Sequence, residues 1–234
     1  MLNTNYDNDT TIELHDELNP SIWVSNKLRQ DVKTKIIKIV NEFKDFIDIP
    51  INVIDIQLVG SNCNYNYTKY SDLDIHIIIN FDELSNNVEL MQTLFNAEKT
   101  NFNKDYDITI NGVNCEIYVE DVRSSAVSNG VYSVLQDCWI TFPKKLNDVV
   151  IPNFNNLLTQ YKIIVNNVLS DENATTEDIN DVINKLYMLR KNGLAQNGEF
   201  SKGNLVFKEI RNLDLLDKLK DKLLKLKSDD LSLS

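Results

Sequence analysis

Two aspartates stand two residues apart at the start of an apolar stretch of the chain. Asp72 and Asp74 flank Leu73 and precede a run that ends at Ile79. Because side chains alternate between the faces of a strand, both carboxylates project from one face, about 7 Å apart. Like charges this close repel each other, and a divalent cation between them removes that cost. Oxygen-only ligation without Cys or His is typical of Mg²⁺ or Mn²⁺. Two solvated acids at a loop-to-strand junction are the alternative.

A third carboxylate is predicted from a strand further along the chain. In Val113–Val119, apolar residues alternate with polar ones, and Glu116 stands in the middle. This position would let Glu116 face the same cleft as the two aspartates. The alternative is an exposed position on a two-faced hairpin. Glu120 and Asp121 lie nearer the end of the strand, where we expect solvent exposure.

A glycine and a serine follow the preceding strand. Val53–Val59 is rich in β-branched residues and leads directly into Gly60 and Ser61. Because glycine has no Cβ, backbone N–H groups and a hydroxyl can approach a phosphate closely there. The Walker A pattern is absent. Gly-Ser after a strand is a weak signal alone, and Ser61 could be a turn serine, but with the aspartates and Glu116 it forms a specific combination.

The combined pattern resembles the nucleotidyltransferase fold of the DNA polymerase β superfamily. The resemblance covers roughly residues 25–125, and the helical remainder resembles, more loosely, the accessory region of uncharacterised phage-type members. The matching segments are Val59-Gly60-Ser61, Ser71-Asp72-Leu73-Asp74 and Cys115-Glu116-Ile117.

This resemblance implies a reaction and a set of site residues. It implies that Gly60 and Ser61 hold a triphosphate, and that Asp72, Asp74 and Glu116 hold two Mg²⁺ or Mn²⁺ ions. The implied enzyme transfers an NMP from an NTP to an acceptor hydroxyl and releases pyrophosphate. ATP is the expected NTP. RNA 3′ ends, protein side chains, small molecules such as aminoglycosides, and a second nucleotide all stay open as acceptors. A non-catalytic nucleotide-binding or inhibitory module of the same fold, acting on a partner protein, is the alternative.

A triphosphate also requires positive charge beyond metal ions. The basic residues of the C-terminal half flank glycine-rich turns around Gly193 and Gly198. Among them we expect Lys208 and Arg211 to contact the nucleotide. The last helix, with its alternating Leu and Lys residues, is interpreted as a packed amphipathic helix, and a nucleic-acid arm is the alternative.

The elements that must position these residues follow from hydrophobic periodicity. The pattern turns helical from Pro20, and a helix with apolar spacings of three and four runs from Val32 to Ile47. Asn111-Gly112 predicts a type I′ hairpin turn between two strands. The other predicted elements are a strand at 72–79, helical spacing over 84–102, a hairpin of 131–135 with 138–142, and helices at 153–169, 176–192 (closed by Gly193), 202–212 and 213–227.

The predicted fold class is α+β, with a nucleotidyltransferase-fold mixed β-sheet and flanking helices followed by an all-helical C-terminal region. We expect three parts. Residues 1–18 form a flexible acidic arm, residues 19–150 the catalytic domain, and residues 151–234 a helical domain.

Composition excludes several classes of protein. With 24 Lys and Arg against 35 Asp and Glu, the net charge of −11 is unsuited to coating nucleic acid or binding anionic membranes. No apolar run approaches a membrane span, and the polar N-terminus is not that of a signal peptide. We therefore expect a cytoplasmic protein, in the host cytoplasm if it is phage-encoded. Three scattered cysteines, Cys63, Cys115 and Cys138, argue against a structural zinc site or a disulfide framework.

Overall fold

The computed structural model describes most of the chain as two compact units. One unit comprises Glu13–Asn147, and the other comprises Met1–Ile12 with Asp148–Ser234. The division falls close to the predicted boundary at residue 150. The described residues are 11, 13–124, 128–145 and 151–232.

The α/β unit contains short and long strands and two long helices. In chain order its described elements are β1 (Trp23–Val24), β2 (Lys27–Leu28), α1 (Gln30–Ile47), β3 (Val53–Val59), β4 (Leu73–Ile79), α2 (Val88–Asp105), β5 (Thr109–Ile110), β6 (Val113–Asp121), β7 (Val131–Ser133) and β8 (Cys138–Thr141).

Six of these strands form one mixed sheet, in the order β5-β6-β4-β3-β7-β8. β4 and β6 pair in parallel, and the other neighbouring pairs are antiparallel. A parallel pair needs a crossover connection, which α2 supplies. The mixed α/β character and the mixed sheet predicted from the sequence are confirmed. The crossover places the aspartate strand directly beside the glutamate strand.

One face of the sheet is covered by helices and forms the core. The helix α1 buries its apolar stripe, and Phe95 and Phe102 of α2 join the same cluster. From β4 and β6, alternate residues such as Ile75 and Ile117 point into it. The residues between them, including Asp74, belong to the opposite face. The core thus fixes which side chains of β4 and β6 can form a site.

The hairpin turn behaves as the Asn-Gly signal predicts. Asn111 has φ 51° and Gly112 has φ 80°, so both occupy the left-handed region that a type I′ turn requires. The turn joins β5 to β6, which pair through Ile110 and Val113.

Two predictions for the N-terminal region are wrong. The pattern from Pro20 is not helical at first, because Ser25 and Asn26 adopt positive φ and turn β1 back onto β2. The described end of the predicted flexible arm is anchored as well. The His15 ring stacks on Tyr67 with centroids 3.9 Å apart, and Leu18 is buried in the core. Residues 1–10 and 12 of that arm lie outside the described residues.

The helical unit confirms the four predicted helices. They are α3 (Asn155–Ser170), α4 (Thr176–Asn197), α5 (Lys202–Asn212) and α6 (Leu215–Leu231). A capping box between Thr175 and Asp178 begins α4, as the sequence signal indicates. In α5 most residues are buried, which identifies it as the central helix of the unit.

Gly193 does not end its helix, contrary to the prediction. α4 continues to Asn197, and Gly198 with φ 69° is the C-cap. A Cβ at Gly193 would lie 2.5 Å from Ser201 Oγ. A Cβ at Gly203 would lie 2.5 Å from the carbonyl oxygen of Leu189. These two glycines therefore permit α4 and α5 to approach closely, and local spacing alone could not distinguish this role from a helix stop.

Asp121, predicted to be solvent-exposed, is 3% exposed. Its carboxylate accepts hydrogen bonds from the backbone N–H of Phe81 and from the Arg123 guanidinium, whose other partner is Asp82. The bonds from Arg123 hold the pKa of Asp121 well below its usual range, and the backbone N–H groups add to this effect. The carboxylate thus joins the end of β6 to the turn after β4.

We expect Asp121→Asn to lower the free energy of unfolding at pH 7 by about 2 kcal/mol, because it weakens charge-assisted bonds. A depressed carboxylate pKa stabilises the fold above the unfolded-state value and loses that contribution as pH falls below about 4. The variant should therefore lose less stability than the parent between pH 5 and pH 3, as measured by urea unfolding. Asp82→Asn, which removes only the exposed partner of Arg123, is the control. Equal stability of the Asp121→Asn variant and the parent at pH 7 would contradict the assignment.

Candidate active site

The carboxylates of Asp74 and Glu116 come from directly paired positions of adjacent strands. Asp74 of β4 is in register with Glu116 of β6 in the parallel ladder. Neighbouring strands lie about 4.8 Å apart, so both side chains leave the same face at close range. Asp72 lies directly before β4. The structure therefore brings Glu116 beside Asp74, as the sequence predicts.

Tyr118 lies within electrostatic reach of all three carboxylates. Its hydroxyl donates a hydrogen bond to Glu116 Oε2 at 2.5 Å. Burial is the largest cause of the raised pKa of this phenol. The hydrogen bond and charge of Glu116 raise it further, and the charges of Asp74 and Asp72 add smaller contributions. All three predicted ligands thus influence one phenol, and we call this region of the sheet the acidic face.

Gly60 lies directly against the carboxylate of Asp74. Its φ is 78°, in the region that favours glycine, and a Cβ there would overlap Asp74 Oδ2. Val59, the residue before it, pairs with Asp74 across the β3–β4 ladder. The sequence predicts a close approach of Gly60 to a phosphate, and the structure shows that the glycine also makes room for the aspartate.

Ser61 connects the glycine turn with the segment that leads into β4. It begins a short 3₁₀ turn, and its Oγ donates to Ser71 Oγ at 2.9 Å. The same Ser71 Oγ accepts from the backbone N–H of Thr68 at 2.9 Å. The two halves of the motif, which ten residues separate in the sequence, are therefore in contact through side chains.

Asn62 holds these two halves together, and sequence reasoning missed it. It is fully buried, and its Nδ2 donates to the carbonyl oxygens of Ser71 at 3.1 Å and of Asp72 at 2.8 Å. Its Oδ1 accepts from Asn19 Nδ2 at 2.7 Å. An asparagine directly after Gly-Ser in a loop rich in Asn gives no sign of burial. Asn62 fixes the backbone of Asp72.

A histidine and a glutamate complete the polar face. His76 Nδ1 lies 2.9 Å from Glu120 Oε1, and the His76 ring stacks on Tyr118 with centroids 4.8 Å apart. The close approach of His76 lowers the pKa of Glu120. Glu120, which the sequence predicts to be solvent-exposed, is half-buried. Its partner His76 lies on the neighbouring strand β4.

The two predicted nucleotide-binding cations belong to the other unit. Lys208 and Arg211 lie on α5, and Lys208 Nζ is 3.1 Å from Glu199 Oε1. The pairing neutralises part of the charge that Lys208 would offer a phosphate. The role of Lys208 and Arg211 in nucleotide binding therefore stays a prediction.

The acidic face suits hard cations by the chemistry of its donors. Within the described ranges, no three His, Cys, Asp or Glu side chains are grouped closely enough to hold a metal ion by themselves. Mg²⁺ is usually bound by one or two carboxylates together with water and substrate phosphates rather than by an all-protein cage. The paired carboxylates of Asp74 and Glu116, with Asp72 nearby, fit that mode of binding.

Comparisons with known proteins do not assign this chain to a family. No protein-family model matches this chain, and no curated protein is detectably similar to it in sequence. Among the described helices, none is both long and apolar enough to cross a membrane.

Proposed function

We propose that this protein is a metal-dependent nucleotidyltransferase with the fold of the DNA polymerase β superfamily. It transfers an NMP from an NTP to an acceptor hydroxyl and releases pyrophosphate. The observation that carries the proposal is the arrangement around Asp74, which has Glu116 beside it in register on one side and Gly60 against its carboxylate on the other.

Each neighbour of Asp74 has a role that its chemistry supports. Gly60 and Ser61 give a phosphate chain close access to backbone N–H groups at the end of β3. Asp72, Asp74 and Glu116 would hold divalent cations, which supply charge stabilisation for the pentacoordinate phosphorus and the leaving pyrophosphate. Tyr118 restrains Glu116 through its hydrogen bond.

The reaction itself is a displacement at the α-phosphorus. The acceptor oxygen forms the new P–O bond, the bond to the bridging oxygen of the β-phosphate breaks, and pyrophosphate leaves with that electron pair. The acceptor's proton passes to solvent. The chain contributes mainly by positioning the reactants and by electrostatic preorganisation.

Label transfer tests this function directly. Each of the four α-³²P-labelled NTPs is incubated with Mg²⁺ or Mn²⁺ and with RNA, protein extract or small molecules. The parent should label one acceptor fraction, and the Asp74→Asn variant should label none. Absence of label in all fractions would contradict the proposal. A nucleotide-dependent rise in melting temperature without turnover would instead support the non-catalytic module.

Asn62→Ala is expected to reduce transfer by roughly 10- to 100-fold, the usual cost of losing a group that orients a ligand. The apparent affinity for Mn²⁺ should fall as well, because the backbone of Asp72 is no longer held. Both are measured by titrating Mn²⁺ in the transfer assay at a temperature where the variant is folded.

Asn19→Ala is the matched control for this prediction. It removes the bond to Asn62 Oδ1 but keeps both bonds from Asn62 to the carbonyls before β4. We expect it to lower stability and to leave the Mn²⁺ dependence unchanged. If both variants shift the Mn²⁺ dependence equally, Asn62 has only a structural role.

A further inference from the structure

A lysine on the crossover helix reaches Tyr118, a residue of the acidic face. Lys99 of α2 is half-buried, and its Nζ lies 3.6 Å from the centre of the Tyr118 ring. Tyr118 in turn bonds Glu116. The ammonium group is therefore held at the edge of the carboxylate cluster and not in open solvent.

The charge of Lys99 is compensated only in part. Burial lowers its pKa, and the negative charges of Glu116 and Asp74 act in the opposite direction. In the part of the chain that the structure describes, however, no carboxylate lies within ion-pair distance of Lys99 Nζ. A half-buried ammonium without a direct carboxylate partner is costly unless a ligand supplies the anion.

The order of strands decides which reactant this cation can meet. β4, with Asp74, lies between β3 and β6. Gly60 and Ser61 follow β3, whereas Lys99 lies over Tyr118 of β6. In an in-line displacement the acceptor and the leaving pyrophosphate occupy opposite sides of the α-phosphorus. With the triphosphate on the β3 side, the acceptor approaches from the β6 side, where Lys99 is.

We propose that Lys99 binds a phosphate group of the acceptor, so that the acceptor is a phosphate-bearing molecule, either a free nucleotide or the end of an RNA. This inference rests on the proposed function, which defines the two sides of the site. An ammonium at this position also disfavours polycationic acceptors such as aminoglycosides, through like-charge repulsion. Among the acceptors compatible with a nucleotidyltransferase, the ammonium group of Lys99 therefore favours the anionic ones.

The test is a binding measurement that needs no turnover. Adenosine and AMP are titrated into the parent protein by calorimetry in the presence of Mg²⁺ and α,β-methylene-ATP, a non-transferable nucleotide. AMP should bind roughly 10- to 100-fold more tightly than adenosine, the range expected for a charge-assisted contact. Lys99→Met should abolish that preference. Lys104→Met, an exposed lysine on the same helix, should retain it.

The outcomes separate this inference from the proposed function. Equal binding of AMP and adenosine by the parent, or an unchanged preference in Lys99→Met, overturns the role of Lys99 even if label transfer occurs. Absence of label transfer with every acceptor overturns the proposed function, whatever the calorimetry shows. A short oligoribonucleotide with the same 3′-terminal adenosine distinguishes the two sources of phosphate. Tighter binding of the oligoribonucleotide than of AMP identifies an RNA end, and tighter binding of AMP identifies a free nucleotide.

Discussion

Replacement of Asp74 by Asn is expected to reduce nucleotidyl transfer by roughly 10³-fold, the scale of loss when one electrostatic group of an active site is removed. The amide is nearly isosteric with the carboxylate but carries no charge, so it binds a cation next to Glu116 far more weakly. It also fits the space beside Gly60, and the melting temperature should stay close to that of the parent. Initial rates of label transfer and a thermal unfolding curve, recorded on the same preparation, check both parts.

Asp45→Asn is the control for this result. Asp45 is an exposed residue of α1. Its replacement by Asn makes the same change in net charge at a position outside the acidic face. It should transfer label at the parent rate. Full activity of the Asp74→Asn variant would remove the basis of the proposed function, because the proposal rests on Asp74 between Gly60 and Glu116.

Gly60→Ala is expected to damage both folding and activity. The added methyl group would overlap Asp74 Oδ2, and φ 78° is unfavourable for alanine. Overlap and strain together should lower the free energy of unfolding by about 3 kcal/mol or more. Any molecules that fold must displace the Asp74 carboxylate, so the specific activity of the folded fraction should fall as well. Urea unfolding and label transfer per folded molecule measure the two effects.

Gly112→Ala provides a control at a glycine that also has positive φ but where an added methyl group meets no overlap. Gly112 has φ 80°, and apart from its own atoms and those of its two chain neighbours no atom lies within 4 Å of its Cβ position. Its loss of stability should be about 1 kcal/mol, from strain alone, with unchanged activity per folded molecule. If the two glycine variants lose equal stability and equal activity, the contact between Gly60 and Asp74 makes no specific contribution to stability or activity.

Local patterns were sufficient to predict most elements that build the site. Alternation in β3, β4 and β6, the helical spacing of α1 and the Asn111-Gly112 turn each reflect a preference that a few neighbouring residues express by themselves. The same alternation predicted that Asp72 and Asp74 share a face. It also placed Glu116 on a strand that could face them, although the parallel pairing that aligns Glu116 with Asp74 depends on the whole crossover.

The residues that sequence reasoning misjudged depend on contacts between distant segments. Asn62 and Asp121 are polar, and their burial is compensated by partners that lie far away in the chain. Gly193 resembles a helix stop, but its lack of a side chain serves the approach of α5. In each case the residue type is compatible with two structures, and only tertiary packing distinguishes them.

The parallel pairing of β4 with β6 also sets the order in which the active site can assemble. During synthesis or refolding, β3 and Asn62, which precede β4 in the chain, can hold Asp74 and Asp72 first, and Glu116 joins them only when β6 docks beside β4. That docking closes a long loop through α2, which is slower than forming a helix or a hairpin. Catalytic competence should therefore appear after most of the helical signal has been regained, and a chain cut short before Val113 would contain both aspartates and no complete site.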